Sequence, residues 1–114
     1  MMGANPQRGE LAAILDGAEY RLCLTLGALA ELEASYAAED LGALVSRFAA
    51  GKLSATDIAR VIGAGLRGGG QPIGDDDVMR MRCEGGAAGF AHLVAELLAV
   101  TFGRLEGEEP PPNP

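Results

Sequence analysis

The sequence predicts an α+β domain that is mostly helical, with an N-terminal β-hairpin packed on a bundle of about five short helices. Residues 10–15 form a plausible short strand, an Asp-Gly dipeptide follows, and residues 19–26 alternate apolar and polar side chains, a pattern typical of a hairpin. After residue 27 the apolar side chains recur with helical spacing, between glycines and capping residues. A chain of 114 residues can bury one core, which needs no metal or disulfide.

The predicted hairpin has its first strand at residues 10–15 and its second at residues 19–26. Asp16-Gly17 lies between them and favours a two-residue turn, because both turn positions require positive φ. A hairpin alone is marginal in water, so one face must pack on the helices that follow. We expect that face to be Tyr20, Leu22, Leu24 and Leu26.

Two helices are expected between residues 27 and 51. The first runs from Gly27 to about Tyr36, and Gly27 is expected to let the strand turn tightly into it without a side-chain clash. The second begins at the cap Asp40 and ends at Gly51. The apolar positions that define the two helices are Leu29, Leu32, Tyr36, Leu41, Leu44, Val45 and Phe48.

Three more helices are expected in the second half of the chain. Ser54 caps the third, with Asp57 three residues later. Asp75 is expected to cap a short fourth helix over residues 78–82, and the fifth covers about residues 87–102. The apolar faces of the third and fifth helices are Ile58, Val61, Ile62, Leu66, Phe90, Leu93, Val94, Leu97 and Leu98.

These elements place a single domain at residues 9–103. Residues 1–8 are expected to form a flexible leader, and residues 104–114, acidic and rich in proline, a disordered tail. The N-terminus has no apolar signal-peptide region, and no apolar run approaches the ~20 residues of a membrane-spanning helix. We therefore expect a cytoplasmic protein without a membrane partner.

Charge and composition narrow the class of partner. The net charge of −7 argues against nucleic-acid binding, which requires clustered basic residues, and the nine Lys and Arg residues are scattered. The apolar fraction of 48% contains much alanine, three Phe, two Tyr and no Trp. The core is therefore expected to be aliphatic and thin, and partner contacts could supply part of the stability.

No motif indicates an enzyme, a cofactor or a metal site. Gly51-Lys52 lacks the remaining residues of a phosphate-binding loop, and residues 75–77 lack the Gly and Glu of a calcium-binding loop. The three acids are interpreted as the first turn of a helix. His92 is interpreted as a solvated partner of Glu96 rather than a metal ligand.

Two further features have an ordinary interpretation. Cys23 and Cys83 have no disulfide or metal-site spacing and are expected to be reduced cysteines that act as small packing or surface groups. The acids around the first two helices favour a solvated face, and the alternative is a surface that recognises a basic or polar partner. These acids are Glu31, Glu33, Glu39 and Asp40.

Five segments resemble one known family. They are ANPQRGE (4–10), LDG (15–17), RLCLTLGALAELE (21–33), LSATDIARVIGAGLRGGG (53–70) and EGGAAG (84–89). They resemble the small phage-like protein of alphaproteobacterial gene transfer agents, which are domesticated tailed prophages that package host DNA. The family is described both as a tail tube protein and as a tail assembly chaperone. The resemblance covers roughly residues 4–103, and its most specific part is LTLGALAELE.

The two descriptions imply different folds. A siphophage tail tube subunit is built mainly from strands that close a ring, whereas this sequence offers two strands. The resemblance to the helical chaperone class therefore fits better. It implies a non-enzymatic protein that coats the tape measure protein, recruits tail tube subunits and leaves before the tail is finished. The alternative is a structural tail component, and self-association of the chain stays open.

The resemblance leads to a hypothesis about how the helices bind a partner. We expect their faces, above all those of the third and fifth helices, to offer an amphipathic groove that covers apolar helices of the tape measure protein. A thin, alanine-rich core leaves room for such a groove. The residues expected to contact the partner are Leu29, Leu32, Phe48, Phe90 and Leu97.

Overall fold

The computed structural model describes residues 8–36 and 52–103, together with Ser46 and Ala50. Its strands are β1 (Glu10–Leu15) and β2 (Ala18–Cys23). Its helices are α1 (Leu26–Tyr36), α2 (Ala55–Gly68), α3 (Asp75–Val78) and α4 (Gly86–Leu98), and α4 continues into a π-helical turn (Ala99–Gly103). The predicted α+β, mostly helical architecture is confirmed.

Several sequence predictions fall outside these residues. They are the helix from Asp40 to Gly51, except for Ser46 and Ala50, the leader before Arg8 and the tail over residues 104–114. The backbone N–H of Ala50 donates to the carbonyl oxygen of Ser46 at 3.0 Å. Among the described helices, none is long and apolar enough to cross a membrane.

The hairpin forms where the sequence predicts it. β1 and β2 pair antiparallel, with Glu10 opposite Cys23 and Leu15 opposite Ala18. The turn residues Asp16 and Gly17 have φ angles of 54° and 78°, the positive values that a tight two-residue turn requires. This agreement follows from local chemistry, because Asp and Gly tolerate positive φ better than other residues.

The turn is also tied to the segment between α3 and α4. The N–H of Asp16 donates to the carbonyl oxygen of Arg82 at 2.9 Å, and the N–H of Arg82 donates to Asp16 Oδ1 at 2.8 Å. Beside them, Leu15 forms an isolated antiparallel bridge with Cys83. The hairpin therefore fixes the segment that leads into α4.

The predicted end of the second strand is wrong. β2 ends at Cys23, and the side chain of Leu26 is 83% exposed instead of lying on the buried face. Thr25 starts α1, because its Oγ1 accepts the N–H of Ala28 at 3.1 Å. Gly27 is not required for the turn, since an added Cβ would find only Thr25 Oγ1 at 3.8 Å.

The core lies between the hairpin and the helices, with α2 at its centre. α2 contacts β2, α1, α3 and α4. A Cβ at Gly68 or Gly69 would collide with the carbonyl oxygen of Cys23 or Arg21, so these glycines let the end of α2 lie directly against β2. The largest fully buried side chains are Leu15, Leu22, Leu32, Ile62, Leu66, Leu97, Val61 and Val94.

Arg67 joins three parts of the helical layer. Its Nη2 contacts Glu31 Oε1 of α1 at 2.9 Å, and its Nη1 donates to the carbonyl oxygen of Ile73 at 2.7 Å. The same Nη1 lies 3.1 Å from Asp75 Oδ1 and forms an ion pair with it. Arg67 therefore fixes the start of α3 against α1 and α2.

The short helix α3 starts earlier than the sequence predicts. It covers Asp75–Val78, and its N-cap is Gly74 rather than Asp75. The carboxylate of Asp77 accepts the N–H of Gly74 at 3.2 Å, so this acid holds the first turn from inside. Asp75 instead forms an ion pair with Arg67. The interpretation of residues 75–77 as the first turn of a helix is confirmed.

Both cysteines are free and half-buried. Burial raises the pKa of the Cys23 thiol, and the neighbouring Glu10 raises it further. Burial likewise raises the pKa of the Cys83 thiol, with a smaller contribution from Glu84. The thiolate is the nucleophile, so both residues are poor nucleophiles near neutral pH.

We expect the two thiols to react with iodoacetamide at pH 8 more slowly in the folded protein than in the urea-unfolded chain, because folding lowers their thiolate fraction and their access. The measurement is the rate of mass increase under both conditions. Equal rates in the two states would contradict the burial of these side chains.

Candidate functional site

An apolar groove of about 160 Å³ opens on the surface where α2, α3 and α4 meet. Its walls are aliphatic and aromatic side chains, with a methionine that is 54% exposed at the mouth. The lining residues are Ala55, Ile58 and Ala59 of α2, Val78 and Met79 at the end of α3, and Ala87 and Phe90 of α4. An open surface of this kind can receive an apolar side chain of a partner.

The first wall is set by the way α2 begins. Ser54 Oγ accepts the N–H of Asp57, and Asp57 Oδ2 accepts the N–H of Ser54, both at 3.0 Å. This reciprocal capping box fixes the first turn, as the sequence predicts. Ile58 and Ala59, one turn after Ala55, then face the groove together.

The capping box carries a prediction of its own. Replacing Ser54 by Ala leaves the N–H of Asp57 without its acceptor and should lower the free energy of unfolding by about 1 kcal/mol. The measurement is urea unfolding followed by circular dichroism. Ser35→Ala, at an exposed position of α1, is the control and should leave stability within about 0.5 kcal/mol of the unsubstituted protein. Equal stability of both variants would refute the role of the cap.

The floor and one rim of the groove come from α3. Val78 is 3% exposed and anchors the helix to the core, whereas the next residue, Met79, projects into solvent. Methionine is unbranched and has a polarizable thioether, so it can adapt to the shape of a partner side chain. The groove therefore has an adaptable, exposed apolar side chain in its lining.

The second wall depends on glycines at the start of α4. Gly85 and Gly86 have φ angles of 90° and 63°, which turn the chain from Glu84 into the helix. A Cβ at Gly89 would collide with the carbonyl oxygen of Glu84, so this position also needs glycine. The sharp entry places Ala87 and Phe90 opposite the first turn of α2.

The residues that the sequence predicts to contact a partner lie in different parts of the structure. Phe90 lines the groove and is partly buried. Leu29 packs partly buried against the core from α1, outside the groove. Leu32 and Leu97 are 1% and 0% exposed, so in this conformation they contact the chain's own core. Phe48 lies outside the described residues.

Of the seven residues that line the groove, only Phe90 is among those that the sequence predicts to contact a partner, and the two largest of the others are Ile58 and Met79. The sequence places Ile58 only on the apolar face of its helix and Met79 only within the expected fourth helix. The available signal for Met79 was a methionine directly after a short acidic turn and an apolar residue. The sequence does not reveal this position of Met79, because it predicts the short helix over residues 78–82 and so places Met79 inside the helix rather than directly after it.

The ionisable side chains of the described residues lie outside the lining of the groove. Over residues 8–36 and 52–103, no group of three or more His, Cys, Asp or Glu side chains is arranged to hold a metal ion. His92 Nε2 lies 3.3 Å from Glu96 Oε2 on the exposed side of α4, which confirms the predicted pair. The groove itself is lined by side chains without nucleophilic or acid–base groups.

The chain matches one family model over residues 8–104, which is most of its length. The family is described as "Phage tail tube protein, GTA-gp10". No curated protein and no solved structure matches the chain significantly. The matched region contains both strands and all the helices that build the groove.

Proposed function

The chain belongs to the GTA-gp10 family of phage tail tube proteins, and on that premise we propose that it is a tail assembly chaperone of a gene transfer agent. In this role it binds the tape measure protein and helps to recruit tail tube subunits. The family is a structural phage tail family and not an enzyme family, which agrees with a non-enzymatic role. Its work precedes the finished particle, so we place it in the cytoplasm.

The observation that carries the proposal is the exposed apolar groove between α2, α3 and α4. Tape measure proteins of this class, as the resemblance implies, are long and prone to aggregate. The apolar faces of their helices must therefore be shielded by a bound protein until the tail is assembled. A groove walled by helices can take such a face in the helix-in-groove manner. Phe90, Ile58 and Met79 would supply most of the apolar contact.

The fold favours a role in tail assembly over a structural position in the tail tube. The described residues contain one sheet, of two strands. A closed ring of subunits with a continuous inner barrel requires each subunit to contribute a larger share of strands. The family description names the tail tube, and for that reason a structural tail component is the second candidate.

Co-expression with the tape measure protein separates the two candidates. If the chain is a chaperone, it should keep the tape measure protein soluble and co-purify with it in size-exclusion chromatography. Mass spectrometry of purified particles should then find the chain absent or far below the amount of the tube subunit. If the chain is instead present in particles in a stoichiometric amount and does not change the solubility of the tape measure protein, it is a structural tail component rather than a chaperone.

A further inference from the structure

The segment between α2 and α4, residues 71–84, has a single buried side chain to anchor it in the core. Val78 is 3% exposed, and every other residue of the segment is half-buried or exposed. In α2, by contrast, every residue from Val61 to Leu66 is buried. Burial of apolar surface is the main term that opposes local opening, so the segment resists opening far less than α2 does.

Glycines with positive φ stand at both ends of this segment. Gly70 has a φ angle of 103°, and Gly85 and Gly86 have φ angles of 90° and 63°. A Cβ at Gly70 or Gly86 would meet no other atom within 4 Å, so neither position is enclosed by its neighbours. Because glycine has the widest choice of backbone angles, the two ends offer points at which the segment can swing.

Polar contacts hold both ends of the segment closed. At the first end, Arg67 Nη1 donates to the carbonyl oxygen of Ile73 at 2.7 Å and pairs with Asp75 Oδ1 at 3.1 Å. At the other end, the backbone of Arg82 is tied to Asp16 through the two hydrogen bonds at the hairpin turn. The side chains of Arg67 and Asp75 are 30% and 36% exposed, so solvent and salt screen their ion pair.

The internal bonds of the segment are few. The backbone N–H groups of Val78 and Met79 donate at 3.2 Å, and that of Met81 donates at 3.0 Å, to carbonyl oxygens within residues 74–78. These bonds belong to one helical turn, and the two glycine ends let that turn move without breaking the bonds of α2 or α4. Opening of the segment therefore sacrifices one buried side chain and a small number of polar contacts.

We infer that residues 71–84 form a strap that opens locally while α2 and α4 stay folded. Opening withdraws Val78 from its buried place. Because Val78 lines the groove together with Ile58 and Phe90, its withdrawal joins that place to the groove and deepens the groove between α2 and α4. A ligand that fits only the deepened groove would shift the population toward the open form. The inference stands apart from the proposed function, since it describes a motion of the free chain.

Labelling of an introduced thiol tests whether the side chain at position 78 leaves the core. Val78→Cys and Val94→Cys are made in the full chain with Cys23 and Cys83 replaced by Ser, and each variant is treated with a bulky aromatic disulfide reagent. Val94 is 0% exposed in α4, so a thiol there reports opening of the helical layer itself. We expect the thiol at position 78 to react at least about tenfold faster than the thiol at position 94.

A second substitution separates opening of the strap from entry of the reagent into the closed groove. Arg67→Gln removes the charged contacts to Ile73 and Asp75, and it should speed labelling at position 78 about fivefold or more. Labelling at position 94 should change by less than about twofold in the same background. Arg8→Gln is the matched control, because Arg8 also pairs with a carboxylate, that of Glu10 at 3.9 Å, but stands before β1. It should leave both rates within about twofold.

The outcomes decide the inference in either direction. Equal labelling rates at positions 78 and 94, with the same steep dependence on urea, would show that the strap opens only when the whole chain unfolds, and would overturn it. Fast labelling at position 78 that does not respond to Arg67→Gln would mean that the reagent enters the closed groove, which also overturns it. Selective labelling at position 78 that Arg67→Gln accelerates would support the strap, whether or not a tape measure segment binds.

Discussion

Replacing Leu97 by Ala should lower the free energy of unfolding by about 3 kcal/mol, the largest loss among the substitutions considered. Leu97 is 0% exposed in α4, and its Cδ2 lies against Gly65 of α2. Removing three carbon atoms there opens a cavity between two packed helices, which relaxation of the surroundings closes only partly. Urea unfolding followed by circular dichroism measures the loss.

Leu26→Ala is the matched control, because it removes the same atoms from a leucine that is 83% exposed. We expect it to change the free energy of unfolding by less than about 0.5 kcal/mol. Similar losses for the two variants would contradict the packing of α4 on α2. A normal stability of Leu97→Ala would also reopen Leu97 as a residue that contacts a partner.

Replacing Met79 by Gln should weaken binding of the tape measure protein about thirtyfold, which corresponds to ~2 kcal/mol. The side chain keeps its length and stays uncharged, but its amide would enter the apolar groove without a hydrogen-bond partner there. Because Met79 is 54% exposed in the free chain, the substitution should leave the stability nearly unchanged. Binding is measured by isothermal titration with a soluble tape measure segment.

Leu26→Gln serves as the control for surface hydrophobicity in general. Leu26 is more exposed than Met79 but lies at the start of α1 and outside the groove. Its substitution should leave the affinity within about twofold, since a residue outside the contact surface contributes little to binding. If Leu26→Gln weakens binding as much as Met79→Gln, the partner contacts a different surface from the one assigned here.

The parts of the fold that the sequence predicts well are those set by short-range chemistry. Asp16-Gly17 specifies its turn through positive φ, and Ser54 with Asp57 specifies the start of α2 through two hydrogen bonds. The leucine alternation runs on through Leu26, so periodicity predicts an end of β2 that is too late in the sequence. The cap formed by Thr25 ends the strand earlier, and periodicity alone carries no information about that cap.

The groove could be predicted only in part, for a geometric reason. Phe90 and Leu97 lie in the same apolar stripe of α4, one helical repeat of seven apart, yet Phe90 lines the groove and Leu97 is fully buried. Which member of a stripe stays accessible depends on the tertiary packing around it. Phe90 lies near the start of α4, beside the groove that the end of α3 also lines, and stays only partly buried.

The most direct test of the groove uses the methyl signals of methionine. The chain has four Met residues, of which Met79 lies at the mouth of the groove and Met81 packs partly buried against the core. In protein labelled with ¹³C at the methionine methyl groups, we expect the Met79 signal to shift or broaden as a tape measure segment is added, and the Met81 signal to change much less. Binding of the segment with an unchanged Met79 signal would contradict the groove as the site of the chaperone.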